Sequence, residues 1–144
     1  MKLARIVGAV LALCLAVLAA PAAADDGFKV VANRSLGVES LTRDTLSRIF
    51  LRKVTRLDGG LVLKPVEPRP DAPAARAFSA RVHRKSPDAL RSYWNALIFS
   101  GRDVPPVQKG SDEAVLAYVR DHPGAIGYVS ASADASGVDV VQVR

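Results

Sequence analysis

Cysteine and histidine are scarce in this chain: one cysteine and two histidines among 144 residues. Cys14 falls within the first 24 residues, so the remainder has no thiol for a disulfide, a metal or a nucleophile. His83 and His122 lie 39 positions apart, and neither belongs to an H-E-x-x-H or comparable metal pattern. His122 falls at an expected helix C-terminus, where the helix dipole favours a partly charged imidazole, so it reads as a cap. His83 sits beside Arg84 and Lys85 and reads as a solvated loop residue. No G-x-S-x-G elbow, Walker loop or dinucleotide fingerprint occurs. The acidic pairs Asp25-Asp26 and Asp112-Glu113 have ordinary explanations, the first at a terminus and the second in a helix's first turn. Nothing in this inventory supports catalysis, a cofactor or a resident metal.

A long apolar run is also missing. Lys2 and Arg5 precede the uncharged stretch Ile6 to Ala20, which ends in Pro21-Ala22-Ala23-Ala24. About 20 apolar residues are needed to cross a bilayer, and this run is shorter, with small residues behind it. It reads as an export signal cleaved after Ala24, which leaves 120 residues for one compact domain, 25–144. Leu13 precedes Cys14 where a lipoprotein signal needs a small residue, which argues against a lipid anchor. Removing Lys2 and Arg5 from the 20 basic residues leaves 18 against 14 acidic ones, a formal +4. The arginines are scattered rather than clustered, and export away from the cytoplasm argues against a nucleic-acid partner.

Apolar periodicity organises the rest. Phe28 to Ala32 predicts a buried strand that breaks at Asn33-Arg34-Ser35. Thr42 is an N-cap for a helix burying Leu46, Ile49 and Phe50, with Arg48, Arg52 and Lys53 toward its end. Asp58-Gly59-Gly60 makes a turn and Leu61 to Val66 predicts the second strand. A proline-rich stretch, Pro65 to Pro73, leads to an alanine-rich helix over Ala74 to Val82, anchored by Phe78. Ser86 and Pro87 form an N-cap and N1 pair for a helix whose residues Leu90, Trp94, Leu97 and Ile98 mark a core-facing stripe. Trp94 therefore reads as core rather than as a stacking platform. Ser111 caps a fourth helix from Asp112, with Val115, Leu116 and Val119 on its apolar face. Pro123-Gly124 stops it, Ala125 to Val129 leaves as a strand, and Val138 to Val143 closes the sheet. The order β-α-β-α-α-α-β-β indicates an α/β fold, a mixed sheet covered by helices. An all-helical bundle would leave three β-branched runs unexplained.

Anion binding at helix N-termini is the chemistry these residues offer best. Two such termini follow polar loops: Arg69-Pro70-Asp71-Ala72-Pro73-Ala74-Ala75 and Lys109-Gly110-Ser111. Each places backbone N–H groups beside a cation.

Three stretches resemble the phosphate-type periplasmic substrate-binding proteins of ABC transporters. They are Val30 to Asn33 with Leu41-Thr42 and Ile49 to Lys53; Arg69-x-Asp71 ahead of a helix; and Lys109-Gly110-Ser111 through Gly124-Ala125-Ile126-Gly127-Tyr128-Val129. The last is the most specific. Such proteins are hinged clamps of two α/β lobes closing on an anion, and the resemblance implies one lobe of a type II periplasmic binding protein, the second. It also implies a non-enzymatic role with phosphate or a similar small oxyanion as partner. Arg69 would donate a bidentate bond, Asp71 would orient it, Ala74, Ala75 and Ser111 would offer backbone donors beside Gly110, and Lys109 would add field. An ABC permease or another envelope protein is the expected macromolecular partner, and two copies could form a composite clamp. The family's loop reads R-x-D-G-S-G-T, whereas Pro73 and Ala75 stand at its serine and threonine. At about 1.5–3 kcal/mol for each hydrogen bond to a charged group, losing two or three donors weakens binding by orders of magnitude. The expectation is therefore weak or partner-assisted recognition; the alternative is an interaction module that keeps the fold without the anion.

Overall fold

The computed structural model describes residues 26–144, so the expected export signal, its expected cleavage point and Cys14 lie outside the described residues. Six strands form one mixed sheet: β1 (Lys29–Ala32), β2 (Ser40–Leu41), β3 (Lys64–Pro68), β4 (Val107–Lys109), β5 (Ala125–Val129) and β6 (Asp139–Val143). Their order across the sheet is β2-β6-β1-β5-β3-β4. Four α-helices accompany them: α1 (Arg43–Phe50), α2 (Pro73–Phe78), α3 (Pro87–Phe99) and α4 (Asp112–Asp121). A π turn, Ser79–His83, extends α2, so the expected helix over Ala74 to Val82 is helical throughout but changes pitch midway.

The sheet is covered on both faces because successive strand residues point opposite ways. On β1, Val30 joins Leu46, Ile49, Phe50, Phe78 and Tyr128 on one side. Val31 joins Val115, Leu116 and Val119 of α4 on the other. β5 is buried at all five positions, as expected for a strand with a helical layer on each side. The aromatic cluster is tight: the Phe78 and Tyr128 rings stack with centroids 3.9 Å apart, and Phe50 meets Phe78 edge-on at 4.9 Å. At Gly127 a Cβ would come within 2.8 Å of the Val66 side chain and carbonyl, so β3 and β5 need glycine there.

Three expectations need correction. The second strand is Lys64–Pro68 rather than Leu61 to Val66, and Leu61 and Val62 are exposed. Prolines obscured it, since a central strand ordinarily excludes them. Pro65 pairs only with β5 and Pro68 only with β4, so each lies where one side of the strand is open. The two shortest strands, β2 and β4, carry no periodicity long enough to read. The largest difference is α3: none of its residues is buried, although its caps are as expected, with the Ser86 hydroxyl accepting from Ala89 N–H and Pro87 at its start.

Polar tethers hold α3 in place of burial. The Tyr93 hydroxyl donates to the Leu51 carbonyl at 2.6 Å, and in the loop just beyond the helix Asp103 pairs with Arg52 at 3.3 Å. Asn33 does similar work across the sheet. Its side-chain amide donates to the carbonyls of Val119 and Arg120 at 2.7 and 3.0 Å, closing the C-terminus of α4. Beside it, Ser35 Oγ accepts from Gly124 N–H at 3.0 Å, in the turn that leads into β5.

Candidate functional site

Strands β3 and β4 are parallel neighbours, with Pro68 opposite Lys109, so the loops leaving their C-terminal ends lie side by side. A cleft of about 280 Å³ opens there, lined by Pro68, Arg69, Asp71, Ala72, Lys109, Gly110, Ser111 and Asp112. Five of the seven sequence-derived candidates thus share one concavity, including both cations. Ala74 and Ala75 do not line it: both are buried, and Ala75 faces a neighbouring cavity instead. The reason is Pro73, which starts α2 so that the two alanines turn inward under the loop.

The electrostatics of the cleft are balanced rather than strongly positive. Arg69 Nε lies 3.5 Å from Asp71 Oδ1, an exposed pair that solvent screens. Lys109 Nζ sits 5.4 Å from the centroid of the Tyr118 ring, a cation–π arrangement that draws it toward α4. The Ser111 hydroxyl accepts from Ala114 N–H at 3.1 Å, so it caps α4 as its sequence position predicts. Asp112 accepts from Ser130 N–H at 3.1 Å and adds a second carboxylate to the wall. An incoming anion meets two cations and two carboxylates.

A second cavity, of about 300 Å³, lies between α3 and the sheet. Sequence reasoning missed it, because Trp94 and Leu90 were assigned to the core and instead form its wall. Its floor is polar. Glu67 of β3 faces Gln108 of β4 and accepts a long bond, 3.4 Å, from the Tyr128 hydroxyl. Burial pushes the Glu67 carboxyl up to about 7, against the opposing pull of the bonds from Gln108 and Tyr128. The Tyr128 phenol is raised in turn, by its own burial and by the Glu67 charge.

His83 lines the same cavity and corrects the solvated-loop expectation. Its Nδ1 is 2.9 Å from Ser47 Oγ, and its ring meets Phe78 edge-on at 5.2 Å. Burial, then the charge of Lys85, pushes it down to about 4, so it is neutral at physiological pH. His122 behaves as expected: its ring N–H donates to the Tyr118 carbonyl at 2.8 Å while the ring stacks on Tyr118. Asp26 takes a structural role, bridging Arg43 at 3.1 Å and Arg81 at 3.0 Å. Among the described residues, no group of three or more His, Cys, Asp or Glu side chains is arranged to hold a metal ion. No helix among them is long and apolar enough to cross a membrane.

No protein-family model matches the chain. No curated protein matches it in sequence. Solved structures do match. A protein from Clostridium perfringens, described as a phosphate ABC transporter substrate-binding protein with bound phosphate, aligns with 83% of this chain and 46% of its own at 17% identity, TM-score 0.63. An ABC-type phosphate transport receptor from Vibrio cholerae gives 83% and 48% coverage at 17% identity, TM-score 0.63. PstS from Borrelia burgdorferi gives 82% and 47% at 8% identity, TM-score 0.65. The chain therefore spans just under half the length of these proteins. At such identities the likeness is one of fold: a mixed α/β sheet matching part of a phosphate-type substrate-binding protein.

Proposed function

We propose that this chain is an exported, non-enzymatic recognition domain, residues 25–144, whose cleft at Arg69 and Lys109 takes phosphate or a similar small oxyanion weakly. The carrying observation is the convergence of Arg69, Lys109, Gly110 and Ser111 on one cleft at the adjacent ends of β3 and β4. The fold match supports the ligand class, since the solved proteins it resembles are described as phosphate receptors of ABC transporters. Weakness follows from the two carboxylates, Asp71 and Asp112, that line the cleft beside its two cations, and a partner would supply further donors. That partner is an ABC permease, another envelope protein or a second copy of this chain.

Isothermal titration of the mature protein with inorganic phosphate and sulfate tests this. Saturable heat in the millimolar range is expected, and Arg69→Ala should weaken it about tenfold or more, the loss of one charge-assisted hydrogen bond. No heat with either anion at about 10 mM overturns the reading.

A specific observation favours a second reading, a docking module without anion recognition. Phe99 is 89% exposed, with Ile98 at 48% and Val104 at 62%, an apolar knuckle where α3 gives way to the loop before β4. Under that reading phosphate is silent, and Phe99→Ser abolishes capture of an envelope protein that Arg69→Ala leaves unchanged.

A further inference from the structure

The cavity beneath α3 is built differently from the cleft. Its walls are mostly apolar, from Phe50, Leu90, Trp94 and Ile98, and among the described residues Glu67 is the only carboxylate that lines it.

Arg76 and Arg91 also line the cavity, and neither bonds to Glu67. Arg91 pairs with Asp88 at 3.0 Å, and Arg76 donates to the Asp71 carbonyl at 2.8 Å. His83 is held by Ser47 and carries no charge near neutral pH. Glu67 is thus left facing apolar space with no cationic partner of its own among its hydrogen bonds, only Gln108 and Tyr128. A cavity of 300 Å³ corresponds to about ten water volumes, which suits a single small aromatic or branched apolar molecule.

We propose that the cavity between α3 and the sheet binds a small apolar or aromatic primary amine, its ammonium group on the Glu67 carboxylate and its body against Trp94 and Leu90. Desolvation disfavours the lone carboxylate, and a protonated amine offsets that cost by supplying the missing charge and hydrogen bonds. The apolar body contributes by removing the exposed Trp94, Leu90 and Ile98 surfaces from water. α3 buries none of its residues, so an occupant of the cavity would add to its packing.

Trp94 is the only tryptophan in the chain, so its fluorescence reports on the cavity wall directly. The mature protein is titrated at pH 8 with phenethylamine, with phenethyl alcohol and hydrocinnamate as neutral and anionic counterparts of similar shape. Saturable change is expected with the amine, about tenfold or more weaker with the alcohol and weaker still with hydrocinnamate. Glu67→Gln should lose the preference for the amine while remaining folded by circular dichroism. Calorimetry repeats the series, so that a silent fluorophore is not mistaken for absence of binding. Equal affinity for amine and anion, an unchanged preference in Glu67→Gln, or no saturation by either readout up to about 10 mM overturns the proposal. Inorganic phosphate present throughout should leave the amine titration unchanged, which separates this cavity from the Arg69 cleft.

Discussion

Because the half-buried Glu67 carboxyl is desolvated in the fold, its proton becomes part of the folding equilibrium. The carboxyl titrates near 7 in the folded chain against an ordinary value of 4.5, so the folded state holds the proton more tightly. Its favourable contribution is complete below pH 4.5 and is lost as pH rises through 7. Glutamine stays neutral at every pH, so Glu67→Gln should match the parent near pH 4.5 and exceed it by about 2–4 kcal/mol at pH 8. Thermal melts of both proteins from pH 4.5 to 8 check this, and a pH-independent gap would refute it. His83 has the opposite sign. Its folded value, about 4, lies below the ordinary 6.5, so its contribution is present above 6.5 and lost as pH falls through 4. The two residues oppose each other, and the parent's pH profile should be flatter than that of Glu67→Gln, in which the His83 contribution is unopposed.

At the scale of elements, the sequence was most readable where a cap and a periodic apolar face coincided. α1 and α4 bury the residues their spacing predicts, with Thr42 and Ser111 accepting from the third residue beyond. α3 has the same local signals and still fails to bury its stripe, because amphipathicity says that a helix has an apolar face and not that a partner surface is within reach. Here Glu67 and Gln108 occupy the part of the sheet it would have packed on. The same limit hid the cavity, whereas the cleft was legible because its residues are consecutive in two short loops. β3 was displaced by its own prolines, and β2 and β4 are too short to show alternation.

Two expected outcomes belong to this scale. Asn33→Ala removes both donors from the last carbonyls of α4 and should destabilise the fold by about 1–3 kcal/mol in a urea titration, with the slope unchanged. Tyr93→Phe deletes the bond to Leu51 and should speed amide hydrogen exchange in α3 while leaving α4 at the parent rate. Equal acceleration in both helices would mean that α3 is an integral part of the cooperative core after all.

For the whole molecule, the two concavities should respond differently to salt. Arg69, Asp71 and Ser111 are exposed, so phosphate heat at the cleft should fall steeply as sodium chloride rises from about 0.05 to 0.5 M, where the screening length shrinks below typical ion separations. Amine binding on Glu67, shielded by α3, should change far less over the same range. Similar salt slopes for both ligands would place them in one site.

The sheet ends in β2 on one side and β4 on the other, strands of two and three residues. Neither edge gives an incoming strand enough backbone partners to pair with. Growth of the sheet from molecule to molecule is thereby discouraged, and any assembly has to be written in side chains. That is a safeguard against fibrous association, obtained by shortening two strands rather than by adding charge.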